Sequence, residues 1–317
     1  MLTLILAHRH DVHARWIADQ LRARLHDAAL IAVESLVHGT RWDHRLDRLG
    51  ARSGLVLGDG RELRQEDVLG VVNRIALIPP ELVGRANAED RLYALQEWTA
   101  LFMSWLRSIP APVLNRPDAR GLCGAWRSPA EWAALAISVG LPTHRVTLGS
   151  SQEMTAFMPL PAGSLPLASI IVAGRGAVWI PRSRRAGVGP CALPSTAPGD
   201  RPAEESAPGA PVDSTGSPAA PVLRGSLGDC RRIAPALGEC AMKLASRAGC
   251  ELLGLDFAVA PGGGVVLSGV TPMPDLRAGG APLVDAIESR LSGRGALRPA
   301  PAAGTTAPRA RAEALSR

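Results

Sequence analysis

Residues 252–276 read LLGLDFAVAPGGGVVLSGVTPMPDL. LLGLDFAV is apolar enough for a buried strand, Gly262-Gly263-Gly264 supplies a tight turn, and VVLSGVT reads as a second strand. Pro272 and Pro274 end that strand, because proline cannot donate to a ladder. The glycine run is a hairpin turn and not a phosphate cradle, since no helix follows it directly. Asp256 is the one acid of the first strand, while Gly269 and Thr271 stand near the end of the second.

Toward the N-terminus, LTLILA (2–7) is a short apolar run without polar alternation, as expected of a strand buried on both faces of a parallel sheet. HRHDVH follows as a loop. ARWIADQLRARL then spaces Trp16, Ile17, Leu21 and Leu25 as a helix does. AALIAVESL predicts a second strand. SGLVLGDG with the following RELRQEDVLGVVNR predicts a hairpin-like pair and a strand ending at Asn73-Arg74. Residues 87–107 predict a long helix with Asn87 as its cap, Glu89 and Asp90 in its first turn, and an apolar stripe of Leu92, Leu95, Trp98, Leu101, Phe102 and Trp105. Glu97 falls on its solvated face. APVLNRP is a strand stopped by Pro117, and PAEWAALAISVG a helix ending at Gly140. SIIVAGRGAVWIP (169–181) predicts a hairpin turning at Gly174-Arg175-Gly176. Helices are expected near 227–248 and over 284–292. The β-α-β order argues for an open α/β sheet.

The chain of 317 residues has room for two domains, and its 46% of apolar residues can build cores. Residues 194–221 carry almost no large apolar side chain and predict a disordered linker, and 293–317 a disordered tail. The expected division is 1–118, an α/β domain; 119–193, a central region; 194–221, the linker; 222–292, an α+β part; and 293–317, the tail. The net charge of +6 and pI of about 9.7 come almost wholly from arginine, Lys243 being the one lysine. Such a surface is read as solvated arginine, and nucleic acid is not an expected partner. Five cysteines without a C-x-x-C point to reduced thiols and a cytoplasmic protein. The first residues have neither the charged region nor the apolar length of a signal peptide, and no run is long enough to span a membrane. There is no G-x-S-x-G and no G-x-G-x-x-G. His8, His10 and His13 with Asp11 follow the first strand and could wrap a metal, but the arrangement reads better as a loop entering a capped helix.

Four stretches, taken in order, resemble the ATP-grasp superfamily in its glutathione-synthetase-like and ribosomal-protein-modifying ligase branch. They are the β-loop-α of 2–25, GVVNR (70–74), PVLNRP (112–117) with GLPTHRVT (140–147), and GCELLGLDFAVAPGGGVVLSGVTPMPDL (249–276). The resemblance implies a pre-ATP-grasp-like N-terminal domain with an open mixed sheet, followed by a reduced α+β grasp. It also implies ATP and Mg2+ as cofactors if the ligase chemistry is present. Such ligases activate a carboxylate as an acyl phosphate that an amine attacks, and magnesium needs hard oxygen ligands there.

Asp256 matches the family's first metal ligand, but Gly269 and Thr271 stand where its Glu and Asn belong. The lysines that neutralise phosphates have no counterpart, since Lys243 lies inside a predicted helix. Arg127 and Arg145 are the candidate replacements at a nucleotide. The segment between GLPTHRVTL and SIIVAGRG is short for the family, which implies a grasp that excludes water poorly. By the same likeness Asn73, Arg74, Asn115, Arg116, Asp275 and Arg277 are candidates to face a substrate. Two readings stay open: a degenerate relative that binds a protein or peptide partner or a small carboxylate, and an active carboxylate–amine ligase with arginines for lysines.

Overall fold

The computed structural model describes residues 2–25, 27–48, 50–84, 86–143, 160, 162–182, 191–193 and 230–292. The predicted linker at 194–221, the predicted tail at 293–317 and Arg145 lie outside them.

The chain opens with β1 (Leu2–Ala7), α1 (Val12–Leu25) and β2 (Ala28–Ala32), a right-sized unit for parallel pairing, and Leu4 sits opposite Ala29. The predicted second strand ends at Ala32, because Val33–Val37 turns into a short helix, α2, whose Val33 and Leu36 are buried. A three-stranded antiparallel meander follows: β3 (Arg41–Asp47), β4 (Gly50–Val56) and β5 (Glu62–Arg64). Then β6 (Val68–Asn73) pairs in parallel with the other side of β1. Leu4, Ile5 and Leu6 are wholly buried, as a central parallel strand requires.

The long helix α3 runs Ala88–Ser108, and the Asn87 side chain accepts the Asp90 N–H. Its buried stripe is narrower than its apolar sequence. Phe102 and Trp105 are covered and Trp98 partly so, whereas Leu92 is exposed. Trp42 of β3 packs against Trp98, Phe102 and Trp105 with ring centroids 5.3–6.2 Å apart, and this joins the meander to the helix. β7 is only Val113–Leu114 and completes a parallel sheet in the order β2-β1-β6-β7.

After α4 (Pro129–Ser138) come β8 (Leu165–Ala173) and β9 (Gly176–Pro181), the predicted hairpin, with Gly174 at φ +59°. β10 (Cys191–Leu193), α5 (Cys230–Ala248), β11 (Leu252–Val259) and β12 (Val265–Thr271) follow. They build an antiparallel sheet in the order β10-β9-β8-β11-β12. The β11–β12 hairpin closes through the Ala260 N–H on Gly264 O, with Gly263 at φ +78°. The last helix, α6 (Leu276–Leu291), starts well before the predicted 284. A break at Gly280, at φ 56° and ψ −154°, kinks it into two helical pieces just ahead of Pro282.

Alternation sorts the second sheet's side chains. Ile170, Val172, Leu253 and Leu255 pack with α4 and α5, while Ile171, Ala173 and Leu252 pack with α1 and α6. In that second layer Ile17 and Leu21 of α1 meet Leu283, Val284 and Ile287 of α6. The helices run the same way, since His13 lies against Asp275 at their starts and Arg24 pairs with Asp285 and Glu288 near their ends. Among the described residues no helix is long and apolar enough to cross a membrane.

Candidate functional site

Asp256 lies in mid-β11, opposite Ser169 of β8 and Gly269 of β12. One of its oxygens, Oδ1, accepts the Ser169 hydroxyl at 2.5 Å and Arg182 Nη2 at 2.8 Å. Arg182 Nε also donates to Ser169 Oγ at 3.1 Å, which closes a triangle of aspartate, serine and guanidinium. Arg182 stands immediately after β9, so the hairpin register delivers it there.

A Cβ added at Gly269 would sit 3.5 Å from Asp256 Oδ2. Position 269 therefore faces the aspartate, and the residue there offers no side-chain oxygen. Thr271 Oγ1 accepts the Met273 N–H at 3.0 Å, which turns its hydroxyl into the proline loop.

These residues line a cleft of about 770 Å³. Its lining also includes Trp126, Arg127 and Trp132. Arg127 stacks over the Trp132 ring at 5.2 Å from the centroid and donates from Nη1 to Ala125 O at 3.2 Å. The next residue, Ser128, starts α4 with a reciprocal cap, its hydroxyl accepting the Glu131 N–H while the Glu131 carboxylate accepts the Ser128 N–H. The Ser128 N–H first and Arg120 after it hold the Glu131 carboxyl down at about 2.

Magnesium needs several hard oxygens at one point. Among the described residues Asp256 is the cleft's one carboxylate, it already carries a guanidinium and a hydroxyl, and its cross-strand neighbour is glycine. The described residues do not fit a magnesium–nucleotide centre of the kind the family likeness implied.

Of the described sequence-predicted residues, the cleft's lining includes Arg127 and Asp256, and the others stand elsewhere. Asn73 is wholly buried and donates to Asn115 O and Leu122 O. Arg74 is 2% exposed and donates to Asp11 Oδ2 at 2.8 Å and to Pro274 O at 3.1 Å. Asn115, also buried, accepts the Leu252 N–H and donates to Leu252 O and Pro272 O. Arg116 donates to four carbonyls at the end of α3 and just beyond it: Leu106, Arg107, Ile109 and Ala111. Asp275 caps α6, not a loop as its glycine-rich surroundings suggest, and Arg277 is exposed. Asp11 caps α1 by accepting from the His13 and Ala14 N–H groups. Burial pushes its carboxyl up, but Arg74 and those two N–H groups outweigh it and hold it below the ordinary range. Cys123 is buried beside the Asn115 side chain, and burial pushes its thiol up to about 12.

Sequence reading missed Ser169, Arg182 and Trp126. The one available signal for the first two was register, because folding SIIVAGRGAVWIP at Gly174 brings both ends of the hairpin beside Asp256.

A parallel sheet with crossover helices, joined to an antiparallel sheet whose aspartate strand and edge strand border a cleft, is the ATP-grasp fold. The chain is similar to the RiPP-associated ATP-grasp ligase of Chryseobacterium gregarium, solved with ADP and a leader and core peptide. That likeness has a TM-score of 0.56 at 11% identity and covers 93% of this chain and 97% of that one. It is similar too to the macrocyclase MdnC of Microcystis aeruginosa bound to the precursor peptide MdnA, with TM-score 0.56, 13% identity, and 92% and 99% of the two chains covered. The ATP-grasp ligase PsnB, solved with a minimal precursor, Mg and ADP, gives TM-score 0.53, 15% identity, and 91% and 97% covered. No family model matches the sequence, and no curated protein does. At such identities the likeness carries the fold and not the chemistry.

Proposed function

We propose that this is a degenerate ATP-grasp-like protein, a binding module that holds a peptide or small carboxylate in the cleft beside Asp256 and does not run the ligase reaction. The observation that carries this reading is the partnership of Asp256, which faces Gly269 and is closed by Arg182 and Ser169 instead of a second acid. The peptide as partner is supported by the structural relatives solved with precursor peptides. The free thiols of Cys123 and Cys250 support a cytoplasmic location.

A second reading, an active carboxylate–amine ligase using ATP and Mg2+, is favoured by one feature: Arg127 and Arg182 both line the cleft where lysines would neutralise phosphates. Melting curves with and without millimolar ATP and magnesium separate the two. A ligand at about 100 times its Kd adds about 2.7 kcal/mol, a rise of several degrees. The degenerate reading expects no magnesium-dependent rise and no ADP release. A rise that needs magnesium and vanishes in Asp256→Ala, with ADP released, sinks it in favour of the ligase.

A further inference from the structure

What the fold sets against Asp256 is a guanidinium. Arg182 is fixed at two points, Nη2 on Asp256 and Nε on Ser169, and among the described residues its Nη1 group has no partner. Two bonds to one planar fork fix its orientation, so less freedom is lost when a ligand joins. Arg127, elsewhere on the lining, is steadied by the Trp132 face and by Ala125 O. Among the described residues, the charged side chains lining the cleft are these two arginines and Asp256. Gly269 keeps the space over the aspartate open, since a Cβ there would have no neighbour closer than 3.5 Å.

We infer that the cleft is a metal-independent oxyanion site, in which Arg182, clamped by Asp256 and Ser169, takes a carboxylate or phosphate group directly. This deepens the proposed binding role and rests on it. A guanidinium matches both groups through paired N–H donors, and charge-assisted bonds of this kind are stronger than neutral ones. Among the described residues a divalent cation would find one free oxygen, Oδ2, on an aspartate already paired with a guanidinium, too few hard ligands for magnesium to assist.

The test is calorimetric titration of the full-length protein with pyrophosphate and with glutarate, at constant ionic strength, in EDTA and again in magnesium. The expected result is binding of at least one probe in EDTA, no tighter in magnesium. Arg182→Met should weaken it about tenfold or more through loss of the charge-assisted bonds. That variant should fold, because the Arg182 side chain is 55% exposed, and its unliganded melting temperature checks this. Gly269→Glu supplies a second probe, since an acid facing Asp256 should abolish binding in EDTA.

Preference for pyrophosphate assigns the site to phosphate groups and preference for glutarate to carboxylates; either supports the inference. Binding that requires magnesium, equal affinity in Arg182→Met, or no binding of either probe overturns it. ATP turnover is scored separately. Turnover defeats the non-catalytic reading, while the EDTA titration decides this one.

Discussion

Asn115 holds φ at +58°, a left-handed backbone that residues with a Cβ rarely adopt. Its amide reaches β11, where it accepts the Leu252 N–H and donates to Leu252 O, and it also donates to Pro272 O. Asn115→Ala should cost about 2–4 kcal/mol, because buried partners 137 residues away along the chain lose their bonds. Asn115→Gly relieves the backbone but not the bonds, so most of the loss should remain; urea midpoints compare the two. Arg74→Met leaves the nearly buried Asp11 carboxylate unpaired, and a loss of about 3–5 kcal/mol is expected.

The sign with pH follows from Asp11, whose folded-state carboxyl lies below its ordinary 3.8. Its contribution is complete above that value and is lost as pH falls through the lower, folded-state value. Acid unfolding of Arg74→Met should therefore show less of this loss than the parent does. In sequence these residues looked like site residues, since an Asn-Arg pair at a strand end reads the same whether it faces a ligand or a distant strand. Burial and partner identity separate the two cases, and neither is written locally.

Elements were legible where the signal is local. Asn87, the Gly174 turn and the Gly262–Gly264 turn each sit where cap or turn chemistry puts them. β3 was not legible, because RWDHRLD is a polar strand held by a partly buried Trp42 in the aromatic cluster and by His44, which bonds Ser53 and Ser104. The first half of α6 was hidden by Gly279, Gly280 and Pro282, which the helix accommodates through its break. α4 offers a direct test. Ser128→Ala removes one side of its reciprocal cap and should cost about 1 kcal/mol, measured by chemical denaturation. The same helix seats Trp132 under Arg127, so the variant should also weaken any ligand that uses that guanidinium.

At the scale of the whole molecule, four short stretches in the right order were enough to suggest the ATP-grasp fold, because order along the chain survives when side chains change. The cleft was half legible. Asp256, Gly269 and their register came from one hairpin, but the guanidinium on Asp256 came from a different hairpin and needed the assembled sheet. The assembled sheet in turn leans on α6. Leu276, Leu283, Val284, Ile287 and Leu291 are buried against α1, β1 and the second sheet. At about 1.5–3 kcal/mol each, their loss is on the order of 10 kcal/mol, comparable with the whole margin of an ordinary domain. A chain ending at Asp275 should enter the insoluble fraction on expression, and a chain ending at Ser292 should remain soluble and cooperatively folded.

The parallel seating of α1 on α6 also sets a schedule during synthesis. The inward face of α1 emerges from the ribosome long before its partner α6 does. At about 5–20 residues per second α6 follows by tens of seconds, and until then that face has Ile5, Ala7, Ala28 and Val72 of the parallel sheet to pack on. Early packing of α1 is therefore on β1 and β2, and α6 closes over it late.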